Sequence, residues 1–275
     1  MKQLINILTV IITVTAIAVL SSCSGISKKT SDENSVLTEI KKDKVRDDVK
    51  EFVYPLPTAF EVTDMLNRIG ASYILSLSNP AENAEKYFTE KNKALNLGIY
   101  SADLSYASTY NQKQNVIDYM KASNKLIEEL GFADVINEST LEMIEAVEND
   151  KDKMVELITN TFYKSYEYLN KTGRGSVSVL VLTGSWVEAL YIATHISEET
   201  YNNVEMVKLV MNQKEPLNTL MDLIKLNSSN AAVTEMGKKL ETLHNVFNEL
   251  DEGSISQKQM EAITNEVAKV RTAIV

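Results

Sequence analysis

Signals for the start of a helix recur along this chain, and no sustained strand pattern accompanies them. A capping residue followed three positions later by Glu or Gln is typical of a helix start, because each of the two side chains bonds the other's backbone N–H. Four such pairs are Thr58/Glu61, Asn79/Glu82, Ser139/Glu142 and Ser256/Gln259. Glycines that fall just past amphipathic segments favour a left-handed helix end. They are Gly131, Gly173 and Gly253. The sequence therefore predicts an all-α protein.

Apolar periodicity between these signals predicts about ten to eleven helices. Their approximate ranges are 58–78, 80–88, 90–110, 112–130, 139–149, 151–171, 176–195, 198–212, 216–226, 231–250 and 257–273. Short connections place consecutive helices antiparallel, so we expect a multi-helix antiparallel bundle.

The segment 176–195 is apolar nearly all round. By residue type, its start at 177–182 also suits a buried strand, but a single strand among helices has no partner, and the apolar character continues with helical spacing to Ile192. A helix that is apolar on all faces lies in a core. We expect a central helix over 176–195, with Gly184 and Ser185 admitting the close approach of a neighbour.

The charge balance disfavours two kinds of partner. The chain has 28 Lys and Arg against 38 Asp and Glu, a net charge of −10. An acidic surface opposes binding to nucleic acid and adsorption to anionic lipid.

Because the chain has a single cysteine, no internal disulfide stabilises it, and stability must come from packed apolar faces.

The N-terminus has the pattern of an export signal. Lys2 precedes an uncharged run from Leu4 to Leu20, and two serines lead to Cys23. An uncleaved anchor or a free thiol at Cys23 are the alternatives. Because the run is slightly short for a bilayer span and contains one asparagine and three threonines, cleavage is favoured.

Leu20-Ser21-Ser22-Cys23 resembles the lipobox of bacterial lipoproteins. The resemblance implies that a signal peptide, residues 1–22, is removed and that Cys23 is acylated on its thiol and on its new amino group. Two or more acyl chains hold a protein at a membrane almost irreversibly. We therefore expect a protein that is anchored to a membrane of the bacterial cell envelope by lipid on Cys23.

The chain divides into an acylated N-terminus with a flexible tether, residues 23–51, and a helical domain, residues 52–275. The tether is polar and rich in charges of both signs, a composition that buries too little apolar surface to order itself. A weak amphipathic helix between Leu37 and Val49 is the alternative.

Several kinds of chemistry lack their motifs. The sequence has no Gly-x-Ser-x-Gly elbow, phosphate-binding loop or dinucleotide fingerprint. Glu241-x-x-His244 has the spacing of a di-iron ligand pair, but the second pair that such bundles need is missing. We therefore expect neither a metal nor a cofactor.

Two polar groups fall on helices that should be interior. Glu188, Tyr191 and His195 share one face of the central helix. A buried Glu188 requires a partner or a proton. The second group lies among small residues on the predicted helix 90–110. Its members are Tyr100, Asp103, Tyr106 and Tyr110.

Two interpretations of these groups stay open. They are satisfied structural contacts within the core, or they line a ligand or proton-transfer site, since polar residues that break a regular pattern tend to mark functional places. Either way, we predict that the two helices face each other across one cavity or polar contact.

The whole chain resembles all-helical lipoproteins of the Bacteroidota. The resemblance is carried by residues 54–58, 70–73 and 98–110, and it implies a family without implying an activity. Residues 24–29 lack the acidic run that resembles a surface-export signal in that phylum, which favours an anchor facing the periplasm.

Two functions follow as hypotheses. The first is a binding or interaction module for an envelope protein or for a small ligand in an interhelical groove. The alternative is a hydrolase-like or other acid/base enzyme that uses Glu188 with Asp103 or His195.

Overall fold

A computed structural model describes residues 59–133, 150–197, 200–251 and 254–275. This part of the chain is all helical and contains no strand, which confirms the predicted class. Its nine α-helices are α1 (Ala59–Arg68), α2 (Glu90–Thr109), α3 (Lys113–Glu129), α4 (Lys151–Lys171), α5 (Gly175–His195), α6 (Val204–Met211), α7 (Lys214–Leu226), α8 (Ala231–Asn248) and α9 (Gln257–Thr272). Three short 3-10 helices are Leu75–Leu77, Ala81–Lys86 and Thr200–Asn202. Four features of the sequence analysis lie outside the described residues, namely the signal peptide, Cys23, the tether and the predicted helix 139–149.

Local sequence signals predicted several helix ends correctly. Ser256 and Gln259 form the predicted capping box at the start of α9. Gly131 and Gly173 take the positive φ angles of 75° and 77° after α3 and α4. The helices α2, α3, α4, α5, α8 and α9 begin and end within about two residues of prediction.

Two of the predicted helices are wrong. In place of helix 58–78, α1 ends at Arg68, and Gly70 turns the chain with a φ of 79°. In place of helix 80–88 the structure has a 3-10 turn, and Pro80 rather than Asn79 occupies its first flanking position. The backbone of this irregular stretch bonds to side chains of other helices, as described below, and those contacts replace helical hydrogen bonds.

The predicted helix 198–212 is also interrupted. Asn203 caps α6 by accepting hydrogen bonds from the backbone N–H groups of Glu205 and Met206, at 3.0 and 3.2 Å. Because a capping residue has an extended backbone, the preceding 3-10 turn at Thr200–Asn202 is separate from α6.

The helix α5 is the centre of the domain, as predicted. It packs most extensively on α2, and it also contacts α1, α4, α6, α7, α8 and α9. Among the described residues it alone is long and apolar enough to cross a membrane, yet 89% of its most apolar window is buried by the protein. Such burial is that of a core helix.

Two glycines set the distance between α2 and α5. A Cβ added to Gly184 would overlap the carbonyl oxygen of Leu95, and a Cβ added to Gly98 would lie 2.6 Å from the backbone nitrogen of Ser185 and overlap the carbonyl oxygen of Val181. The two backbones are therefore in direct contact. This confirms the expectation that Gly184 admits a close neighbour.

We predict that Gly184→Ala and Gly98→Ala each destabilise the fold by about 3 kcal/mol, at the upper end of the cost of overpacking, because rigid backbone must move. Urea unfolding of a soluble form that starts at Ser24 measures this loss.

Gly237→Ala is the matched control, because its added methyl would meet only the Ile224 side chain, 2.8 Å away. Its loss should be clearly smaller. Equal losses in the three variants would contradict a special role for the crossing.

Candidate functional site

Glu188 on α5 is completely buried and is paired with Arg271 on α9. Arg271 Nε donates to Oε2 at 2.6 Å, and Nη2 donates to Oε1 at 2.8 Å. Nη2 also donates to the carbonyl oxygen of Leu77, at 2.8 Å. Planar two-bond pairing of this kind is among the strongest hydrogen-bonded arrangements in proteins. Glu188 thus has the partner that its burial requires.

Asp103 on α2 is the second buried carboxyl group of this region. Its Oδ2 accepts a hydrogen bond from the backbone N–H of Asn79, at 3.0 Å. Its Oδ1 has no hydrogen-bond partner among the described residues, nor does the nearby Ser78 Oγ. Burial, and then the Glu188 carboxylate, raise the pKa of Asp103 well above its ordinary value.

Glu188, Arg271 and Asp103 together carry no net charge when Asp103 is protonated. Burial raises the pKa of Glu188 as well, but its hydrogen bonds to Arg271 oppose that effect. We therefore assign the proton to Asp103. When two buried carboxyl groups share a single cation, protonation of one of them removes the repulsion between their like charges.

Tyrosines of α2 hold the irregular segment 71–81 against the core. The Tyr106 hydroxyl accepts from the backbone N–H of Ile74 at 2.8 Å, and the Tyr100 hydroxyl donates to the carbonyl oxygen of Pro80 at 2.9 Å. Burial raises the pKa of Tyr106 to about 12, so the hydroxyl stays protonated. Together with Asp103 these groups bond the backbone of a segment that forms no α-helix.

A buried amide network extends this anchoring to the C-terminus. The Asn79 side chain donates to the Tyr87 hydroxyl at 2.9 Å and to Asn96 Oδ1 at 3.3 Å. Asn96 in turn donates to the carbonyl oxygen of Ile274, at 2.9 Å. Asn79 is therefore a core residue with 1% exposure and not a helix cap.

Tyr110 belongs to a cluster of aromatic rings. Its ring lies 5.1 Å from that of Tyr106 and 5.8 Å from that of Tyr73, between centroids. Its buried hydroxyl has no hydrogen-bond partner among the described residues. Burial raises the pKa of Tyr110 above its ordinary value.

The polar face of α5 continues from Glu188 through two stacked rings. The Arg271 guanidinium carbon lies 4.2 Å from the centre of the Tyr191 ring, a cation–π contact. The Tyr191 and His195 rings stack with their centroids 4.1 Å apart. Burial lowers the pKa of His195, and the nearby Arg271 lowers it further. The imidazole is therefore neutral at neutral pH.

His195 also borders a surface pocket of about 320 Å³, which we call the α5–α9 pocket. Its wall includes His195, Thr200, Tyr201, Gln257, Glu261 and Asn265. A second pocket, of about 340 Å³, shares Thr200 with the first and is lined in part by Ile69 and Met206.

The structure brings the predicted residues together in two sets. Asp103 and Glu188 meet in the interior between α2 and α5, as a polar contact, while Tyr191 and His195 lead from Glu188 to the surface pocket. Tyr100, Tyr106 and Tyr110 serve packing and the backbone of segment 71–81. Cys23 lies outside the described residues.

Arg271 is the main residue that sequence reasoning missed. Its position gives a signal, because α9 buries Met260, Ile263 and Val267 along one stripe, and Arg271 follows Val267 by four residues. A charged residue beside an apolar stripe of a terminal helix is a natural partner for an unpaired interior acid.

The described residues contain no group of three or more His, Cys, Asp or Glu side chains that would hold a metal ion. Comparison of the chain with family models, with curated proteins and with solved structures finds no match.

We predict that Arg271→Met destabilises the fold by about 3–5 kcal/mol, because it leaves the Glu188 charge buried without a partner. Glu188→Gln should cost less, because the amide keeps the shape and Asp103 is then free to ionise beside Arg271. Chemical unfolding at pH 7 compares the two variants. If Glu188→Gln loses as much as Arg271→Met, Asp103 does not supply the replacement charge.

We predict a pH-dependent difference between the wild type and Asp103→Asn. The pKa of Asp103 is raised in the folded state, so the stability that its proton contributes is full below the unfolded pKa of about 3.9 and is lost as pH rises toward the folded pKa. Asp103→Asn keeps the acceptor for Asn79 and removes this loss. Its stability relative to the wild type should therefore grow between pH 4 and 8.

Asp103→Ala is the contrasting variant. It leaves the Asn79 N–H without an acceptor and should be less stable than Asp103→Asn by roughly 1–3 kcal/mol at every pH. Urea denaturation at several pH values measures both effects, and parallel pH profiles of wild type and Asp103→Asn would contradict a buried protonated carboxyl.

Proposed function

We propose that this chain is a lipid-anchored lipoprotein of the bacterial cell envelope, facing the periplasm, whose helical domain acts by binding. The export pattern and the sequence Leu20-Ser21-Ser22-Cys23 support the anchor. The geometry around Glu188 supports binding over catalysis.

The bidentate Glu188–Arg271 pair is the observation that carries this choice. A general acid or base must come within hydrogen-bond reach of the substrate. Both carboxylate oxygens of Glu188 are engaged by Arg271, at 2.6 and 2.8 Å, and the side chain has no exposed surface. Asp103 is equally buried. The acid/base alternative therefore loses the two carboxyl groups on which it depended.

The two pockets at the end of α5 suit a small ligand. Their volumes of about 320 and 340 Å³ are at the lower end of the range for small-molecule sites. Both border Ser197 and Thr200, so they lie next to each other. A small ligand of the envelope is the binding partner that this surface favours over a large protein.

The anchor is tested by Cys23→Ala in the native host. With the wild-type chain, an alkyne fatty acid should label the protein and the label should follow the membrane fraction. The substitution should abolish labelling, because the chain has no second cysteine to take its place.

Ser24→Ala is the matched control, since it leaves the acceptor thiol in place and should keep the label. Undiminished labelling of Cys23→Ala would overturn the lipoprotein assignment, while the helical domain and its pockets would be unaffected.

A further inference from the structure

The α5–α9 pocket has a distinctive lining. Hydroxyl groups come from Thr200, Tyr201 and three other residues of the wall, and carboxamides come from Gln257 and Asn265. Among the described residues, the lining contains no lysine and no arginine, and Glu261 is its single carboxylate. Such a wall offers hydrogen bonds to neutral polar groups and no charge complement to a phosphate or carboxylate.

The imidazole of His195 presents a hydrogen-bond acceptor at this pocket. Its Nδ1 lies 2.9 Å from the carbonyl oxygen of Tyr191, which only accepts, so Nδ1 carries the proton. In a neutral ring Nε2 is then an acceptor, and it makes no hydrogen bond within the described part of the chain. Stacking on Tyr191 fixes the orientation of the ring.

Two further side chains of the wall are available to a ligand. Asn265 is exposed, and its carboxamide makes no hydrogen bond with other described residues, so it offers both a donor and an acceptor. Tyr201 is 39% exposed and supplies an aromatic surface at the rim. Other hydroxyls of the wall are already used as donors, as in the 2.6 Å bond from Thr200 to Ser197, and retain their acceptor capacity.

We propose that the α5–α9 pocket binds a neutral polyhydroxylated ligand with the size of one or two sugar rings. His195 Nε2 accepts a hydrogen bond from a ligand hydroxyl, Asn265 donates to and accepts from neighbouring hydroxyls, and Tyr201 packs against the apolar C–H face of the ring. This assignment rests on the proposed binding function and specifies its ligand class.

Taken together, the hydrogen-bonding roles of His195 and Asn265 need a ligand that both donates and accepts. A hydroxyl provides both, so a ring with several hydroxyls satisfies acceptors such as His195 Nε2 and donors such as the Asn265 amide at once. An anion satisfies only the donors. A simple ammonium satisfies only the acceptors.

The test is saturation-transfer difference NMR on the full-length acylated protein in a detergent without sugar groups. The probes are D-glucose, D-galactose, N-acetyl-D-glucosamine and maltose, with D-glucosamine as a cationic analogue of the same framework. Transfer from the protein to at least one neutral probe is expected. His195→Phe, which keeps the stacked ring but removes the acceptor, and Asn265→Leu should each weaken that binding by about tenfold or more.

Asn160→Leu is the matched control, because Asn160 is an exposed asparagine on α4 outside the pocket. It should bind the probes as the wild type does, and circular dichroism should show all the variants to be folded. The proposal is overturned if no neutral probe binds, if only D-glucosamine binds, or if binding survives both pocket substitutions.

Native mass spectrometry of the acylated protein from its host separates the two levels of inference. A retained ligand or protein partner of another class would overturn the polyhydroxylated ligand while leaving the proposed binding function standing. If the wild-type protein takes up no fatty-acid label, the proposed anchor is refuted, whatever the pocket binds.

Discussion

Gly98 and Gly184 allow the backbones of α2 and α5 to touch, and the rest of the interior is arranged around that contact. Asp103 lies five residues after Gly98, and Glu188 lies four residues after Gly184, so each carboxyl group is little more than a turn beyond the crossing. Helices at ordinary separation would leave space there for larger apolar side chains. The close crossing brings two acids together, and their burial then requires Arg271 and a proton.

The irregular segment 71–81 depends on the same polar groups. Its backbone follows α1 without the hydrogen bonds of an α-helix, and Leu77, Ser78 and Asn79 within it are buried. A buried N–H or C=O group without a partner costs free energy comparable to a lost hydrogen bond. Tyr106 bonds Ile74, Asp103 bonds Asn79, and Arg271 bonds the carbonyl of Leu77. These bonds explain why α2 has hydroxyls and an acid where a simple bundle would have leucines. Within the interior the tyrosine stripe has a structural role.

Sequence reasoning succeeded where the determining contacts are local. The capping box at Ser256, the left-handed glycines after α3 and α4, and the apolar run of α5 each depend on neighbours within a few positions. It failed over 69–88, where a cap-like Asn79-Pro80 sequence serves a buried network whose partners are distant in the chain. The need of Glu188 for a partner followed from its helix face. The identity of that partner did not, because Arg271 is 83 residues away and only its place beside the apolar stripe of α9 distinguishes it from a solvated residue.

Arg271 also links the interior to the surface pocket. Its positive charge is balanced by Glu188 on one side, while its other contact is the face of the Tyr191 ring. That ring carries the stacked His195, whose protonation would place a second cation near the guanidinium in a partly buried site. The neutral imidazole is therefore favoured, and with Nδ1 directed at a helix carbonyl its remaining nitrogen can only accept. The hydrogen-bonding character of the pocket wall at His195 thus follows from burial of the ring, reinforced by the same Arg271 that pairs with Glu188.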